Sequence, residues 1–121
     1  MSQLLNKDYI ISEYGSIDAF LEKAYAADIA EFLMEIPKDE IRDILDRFTD
    51  KEKAKIISYV NEKTAKYIAK SYDARTLSGI ISNMYSDDAA DFLGIMSVGR
   101  VKEVLNLMKK ELAEELQKLL E

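Results

Sequence analysis

Hydrophobic residues recur along this chain with a period of twelve. Cut from residue 26, the sequence falls into eight consecutive units of twelve residues. The fourth, seventh, eighth and eleventh positions of these units are apolar, except at Lys53 and Gln117. That spacing is the i, i+3, i+4, i+7 stripe of an amphipathic helix. The seventh position, for example, holds Phe32, Ile44, Ile56, Ile68, Ile80, Phe92, Val104 and Leu116.

One continuous helix cannot satisfy this pattern. At roughly 100° per residue, twelve residues leave a remainder of about 120°, so the apolar stripe would rotate around the helix. Helix-starting or helix-breaking residues lie at the ends of the units, namely Pro37, Thr49, Asn61, Asp73, Ser86 and Ser97. The pattern therefore predicts an all-α fold, an armadillo-like superhelix of about nine helices of roughly 8–10 residues each, stabilised by stacking.

The repeat also predicts how the chain is divided. The segment 14–25, YGSIDAFLEKAY, fits the same template, whereas the residues before it do not. We therefore expect an N-terminal arm or capping helix over 1–13 and a helical superhelix domain over 14–121.

Composition narrows the classes of function. Hydrophobic residues make up 48% and charged residues 33%, with 4 Gly and 1 Pro, a mixture that favours a globular helical protein. The chain has no Cys and no His, which excludes thiolate or imidazole metal sites and His-dependent hydrolases. A net charge of -6 disfavours nucleic acid as a partner. No apolar run reaches the roughly 20 residues that span a bilayer, so we expect a soluble, cytoplasmic chain.

Two segments of the chain resemble each other beyond the twelve-residue pattern. The segment 28–48 aligns without gaps to 88–108, with Asp28 matching Asp88 and Glu31 matching Asp91. The second copy alone carries an additional acid, Asp87. The acidic opening of a helix is thus a repeated feature of the sequence.

The acids in SDDAADFLGIM (86–96) allow two interpretations. In the first, Ser86 caps a helix, and Asp87 and Asp88 interact with the positive end of its dipole. In the second, Asp87 and Asp91, four residues apart, project from the same side of the first turn and form half of a Mg²⁺ site. Residue chemistry alone leaves both open.

These residues resemble a known family. The run YSDDAADFLGIMSVGRVKEVLNLMKKELAEELQKLL is similar to the end of the cytosolic N-terminal domain of MgtE-type magnesium transporters. The segment AADIAEFLMEIPKDEIRDIL is similar to the first repeat of that domain. The resemblance covers residues 16–121 and implies a right-handed superhelix that is joined, in the whole transporter, to CBS domains and a membrane pore.

The resemblance also implies a function and a site. Domains of this family sense intracellular Mg²⁺ at the inner face of the membrane, through acids that face the CBS domains. On the matching positions, Asp87 and Asp91 would be the ligand carboxylates, with Asp88 nearby. The family has a further acid on an earlier helix, where this sequence holds Lys55. Two carboxylates and a water shell make only half of a site, so we expect weak or undetectable Mg²⁺ binding by this chain alone, completed by a partner domain. The resemblance implies no catalytic role.

A second function class remains open. The middle part of the flagellar motor-switch protein FliG has a related stack of helices, which indicates a protein-interaction scaffold without ions. Tyr14, Tyr25 and Tyr85 fall at predicted corners and are candidates for an interface. The lysines of the middle units, including Lys53, could pair with acids on a partner or a neighbouring unit, but we expect them to be solvated. Enzyme activity is disfavoured because no nucleophile is paired with a base.

Overall fold

The computed structural model describes residues 5–121, and in this range it contains ten α-helices and no strand. The helices are α1 Lys7–Tyr14, α2 Ile17–Lys23, α3 Ala26–Glu35, α4 Lys38–Leu45, α5 Asp50–Ile57, α6 Glu62–Ser71, α7 Ala74–Ile81, α8 Ser86–Gly94, α9 Val98–Asn106 and α10 Lys110–Leu120. The all-α prediction is confirmed.

Every helix from α3 onward begins at the first residue of a twelve-residue unit. The local chemistry explains this regularity, because four of the preceding residues accept a backbone N–H at the new helix start. These capping residues are Thr49, Asn61, Asp73 and Ser97. At α5 the cap is reciprocal, since the Glu52 carboxylate accepts the backbone N–H of Thr49 at 2.9 Å.

The N-terminal part departs from the twelve-residue spacing. The unit 14–25 contains the end of α1 and all of α2, because Gly15, with φ +88°, ends the first helix and Ser16 caps the next. Helices α2–α10 thus correspond to the nine units, and α1 lies almost wholly within the range 1–13, for which the sequence left an arm or a capping helix open. Helix α1 buries Ile10 completely. Residues 1–4 of the predicted arm lie outside the described residues, and the proposed boundary at 13/14 stays a prediction.

The helices pack in two rows, because each tight corner sends the chain to the opposite row. Helices α3, α5, α7 and α9 pack successively on one another, while α4 packs on α6 and α8 packs on α10. Between the rows lies the core. The eighth position of the stripe is buried in seven units, with Gln117 exposed, whereas the eleventh position is half-buried in six of the eight units. The right-handed winding implied by the resemblance stays a prediction.

The charged exception in the stripe, Lys53, is buried rather than solvated as expected. Its Nζ lies 3.8 Å from Asp46 Oδ1 and 3.9 Å from Asp50 Oδ1, and above the ring of Tyr72. The Tyr72 hydroxyl donates to Asp46 Oδ1 at 2.6 Å, and burial together with this carboxylate raises the pKa of the phenol. Asp50 of the same unit, together with Asp46 and Tyr72 of the two neighbouring units, therefore allows a lysine at a core position.

None of the helices in residues 5–121 combines the length and apolarity that crossing a bilayer requires. The longest, α10, has 11 residues.

Candidate metal-binding site

The candidate carboxylates lie at the start of α8, where the chain leaves the exposed Tyr85. Asp87 and Asp88 belong to the first turn, and Asp91 follows one turn later. Asp87 and Asp91 are exposed and Asp88 is half-buried. None of the three makes an ion pair with a lysine or arginine within residues 5–121.

Ser86 does not cap this helix, contrary to the first sequence interpretation. The N-cap is Tyr85, which makes no side-chain cap hydrogen bond, and Ser86 is the first helical residue. The Ser86 hydroxyl instead donates to Glu115 Oε1 at 3.0 Å, across to α10. This long-range bond explains the difference, because the packing of α8 on α10 supplies a partner that the local sequence does not show. Asp87 and Asp88 remain at the positive end of the helix dipole.

The three acids line three grooves, of which Asp88 lines two. Asp88 and Asp91 line a groove of about 290 Å³ between α8 and the α5–α6 corner, with Ser58 and Glu62 on the opposite side. Asp87 lines a groove of about 560 Å³ against α10, together with Glu111, Glu114 and Glu115. The structure thus brings Asp88 and Asp91 together and places Asp87 on the flank toward α10.

The acids of α10 were missed as companions of Asp87 by the sequence analysis. Their proximity follows from packing between alternate helices, which places the start of α8 beside residues 24 or more positions later. The repeat could have predicted this proximity, because in a fold of two rows helices two units apart, such as α8 and α10, are neighbours. The acidic side chains do not converge on one point: the described residues contain no group of three or more Asp or Glu placed to hold a metal ion.

Lys55 lies close to the candidate acids. It lines a groove of about 540 Å³ with Lys51, Tyr59, Tyr85 and Asp88. No carboxylate oxygen lies within ion-pair distance of its ammonium group among the described residues. A fixed positive charge at this edge opposes the approach of a second cation to Asp88.

The donor set suits a hard divalent cation only in part. Carboxylate oxygens are the ligands that Mg²⁺ prefers, and the ion keeps several waters when one or two carboxylates bind it. Asp88 and Asp91 meet that requirement as a pair, and the exposure of Asp91 leaves room for the water shell. The remaining ligands would have to be water or groups from a partner.

The fold and this surface define a class of protein: a helical-repeat domain that presents, along the grooves of residues 5–121, carboxylates without ion-pair partners. A model of the family described as the MgtE intracellular N domain matches residues 24–121. The chain therefore belongs to this family, which comprises the intracellular N-terminal domain of magnesium transporters. No curated protein matches the chain at a significant level. The match starts after α1 and within one residue of the end of α2.

Proposed function

We propose that the chain is a Mg²⁺-sensing regulatory domain of a magnesium transporter, acting by binding rather than by catalysis. It would use Asp87, Asp88 and Asp91, dock on the CBS domains at the inner face of the membrane, and favour a closed pore when Mg²⁺ is abundant. Family membership together with three unpaired carboxylates within two turns of one helix supports this proposal.

The proposed sensing step is electrostatic. Without Mg²⁺, the acids at the start of α8 repel acids on a docking partner, since two like charges about 4 Å apart cost roughly 1 kcal/mol even at the dielectric constant of water. An ion bound between the two surfaces removes the repulsion and takes its missing ligands from the partner. The ion therefore binds the docked state more tightly and shifts the population toward it.

Two features predict that the isolated domain binds Mg²⁺ weakly. No three carboxylates converge within residues 5–121, and Lys55 places a positive charge in the groove that Asp88 lines. Weak binding by the domain alone suits a sensor, because affinity then depends on docking and the response falls in the millimolar range of free Mg²⁺.

An ion-independent interaction scaffold is the second candidate, and the exposed tyrosines support it. Tyr25 and Tyr85 precede α3 and α8 and are 82% and 84% exposed. Tyrosine is enriched at protein interfaces, where its ring supplies contact area and its hydroxyl a hydrogen bond. Such a scaffold would use these residues with or without Mg²⁺.

A Mg²⁺ titration of ¹⁵N-labelled protein at constant ionic strength distinguishes the two candidates. Under the sensor proposal, amide signals of residues 85–92 shift at millimolar Mg²⁺, and the variant carrying Asp88→Asn and Asp91→Asn loses the response. The matched control carries Asp28→Asn and Glu31→Gln, the same change at the equivalent positions of α3, and keeps it. Shifts that are spread over the domain, or that survive in the α8 variant, would reject the sensor proposal in favour of the scaffold.

A further inference from the structure

A further groove, distinct from those that the acids of α8 line, has only positively charged residues among its charged lining residues. This basic groove lies between α6 and the α8–α9 corner and has a volume of about 490 Å³. Its lining residues are Lys66, Ala69, Lys70, Ile95, Met96, Ser97 and Arg100. Three of them are cationic and none is acidic, in a chain whose net charge is -6.

The positive charges of the basic groove are only partly compensated, since Arg100 is near enough to Asp73 for an electrostatic interaction but forms no ion pair with it. Within residues 5–121, Lys70 and Arg100 make no ion pair, and Lys66 Nζ approaches Glu62 Oε1 at 3.8 Å with both side chains more than half exposed. An exposed pair of this kind contributes only about 0–1 kcal/mol, so Lys66 can exchange its partner at little cost.

Arg100 is held in place by neutral partners. Its Nη2 donates to the carbonyl oxygens of both Ala69, at 3.1 Å, and Tyr72. Its Nε is buried without a hydrogen-bond acceptor among residues 5–121. Carbonyl oxygens orient the guanidinium without neutralising its positive charge. The groove therefore contains a fixed, charged donor, which lowers the entropic cost of binding an anion.

The basic groove lies where a row of helices is interrupted. Helix α4 packs on α6 and α8 packs on α10, but α6 and α8 are not among the closely packed pairs. The opening leaves Ile95 and Met96 half-buried beside the three cations. A ligand that combines carboxylates with an apolar side chain would match this surface.

We propose that the basic groove binds an acidic segment of a protein partner, with carboxylates on Lys66, Lys70 and Arg100 and an apolar side chain on Ile95 and Met96. Charge complementarity carries the proposal. A polyphosphate such as nucleic acid fits less well, because the remainder of this acidic chain repels a long polyanion. This inference goes beyond Mg²⁺ sensing and involves none of Asp87, Asp88 and Asp91.

The test measures fluorescence anisotropy of a short labelled peptide of alternating glutamate and leucine, titrated with the whole chain. The variant carrying Lys66→Glu and Lys70→Glu reverses two charges of the groove. The matched control carries Lys63→Glu and Lys102→Glu, which reverses two exposed charges outside the lining, one on α6 and one on α9. We expect the groove variant to raise the Kd by about tenfold or more and the control by less than about threefold.

Two further ligands, a glutamine peptide and an oligonucleotide, test whether binding depends on the carboxylates of the peptide. A peptide with glutamine in place of glutamate should bind at least about tenfold more weakly to the unchanged protein. Absence of binding by the unchanged protein, equal weakening in both variants, equal affinity for the glutamine peptide, or tighter binding of a single-stranded oligonucleotide would each overturn the proposal. If the glutamate pair fails to fold, as judged by circular dichroism, the Lys66→Gln and Lys70→Gln pair replaces it.

Discussion

Helices α3 and α8 are two versions of one design, sixty residues apart. Each begins directly after an exposed tyrosine that provides no side-chain cap. Each buries a Phe-Leu pair at the same positions of its unit, Phe32-Leu33 and Phe92-Leu93. The framework of the two helices is therefore the same, and their differences lie in the polar residues and in the way each helix ends.

Helices α3 and α8 differ in their acidic residues. In α3 the first turn holds Asp28 alone, whereas α8 holds Asp87 and Asp88. The helix ends differ as well: Ile36 is extended because Pro37 follows it, while Ile95 remains in the α-helical region. The hydrophobic stripe determines where a helix lies, and polar positions on the same frame can then change without loss of the fold.

The largest expected effect tests whether the two cores are equivalent. We expect Phe32→Ala and Phe92→Ala each to lower the free energy of unfolding by about 3–5 kcal/mol, because both rings are almost fully buried. Phe32 should cost more, since its ring also packs edge-on against Phe20 with centroids 5.6 Å apart, which adds about 0.5–1.5 kcal/mol. Urea unfolding followed by circular dichroism measures both values.

A surface substitution serves as the control for this pair. Leu119, which is 48% exposed, should change stability by no more than about 0.5 kcal/mol when replaced by alanine. A Phe92→Ala variant as stable as this control would show that α8 is not part of the shared core, and the comparison with α3 would fail.

The sequence was sufficient to predict the helix starts, because the signals for them are local. An apolar stripe that rotates by a third of a turn per unit requires a break, and residues such as Asn61 and Asp73 supply the acceptor for the new helix. The unit 14–25 holds one helix as expected, α2, but it starts three residues into the unit, because Gly15 ends α1 and Ser16 caps α2, which the apolar template does not register.

The site was less predictable, because its surroundings come from distant units. Ser86 looked like a cap by composition, but its bond to Glu115 depends on the packing of α10. Lys53 looked solvated by its charge, but Asp46 from the preceding unit offsets its burial. Periodicity also does not reveal that α6 and α8 leave a groove between them, since that depends on how the rows meet.

A smaller effect is expected from supplying the missing caps. We expect Tyr25→Ser and Tyr85→Ser each to raise the free energy of unfolding by up to about 1 kcal/mol, because the backbone at both positions is extended and suits a capping serine. Tyr59→Ser, at an exposed tyrosine that is no N-cap, is the control and should not stabilise. Thermal unfolding distinguishes them. Destabilisation at both caps would show that the tyrosines serve the fold itself rather than a partner.

The smallest expected effect is on the pH dependence of stability. It comes from the Asp73 cap of α7, which has no counterpart at the uncapped start of α8. Asp73 Oδ1 accepts the Thr76 N–H at 2.8 Å, and this hydrogen bond lowers the pKa of the carboxyl below its ordinary value of 3.8. The unfolded chain then binds the proton more tightly, so the contribution of Asp73 is complete above the unfolded pKa and is lost as the pH falls from about 5 through the folded pKa. Asp73→Asn keeps a capping acceptor but cannot titrate, so its stability should decline less steeply with acid than that of the unchanged protein. The measurement is the unfolding midpoint of each protein from about pH 5 downward. Midpoints of the Asp73→Asn variant and of the unchanged protein that fall in parallel with pH would contradict the prediction.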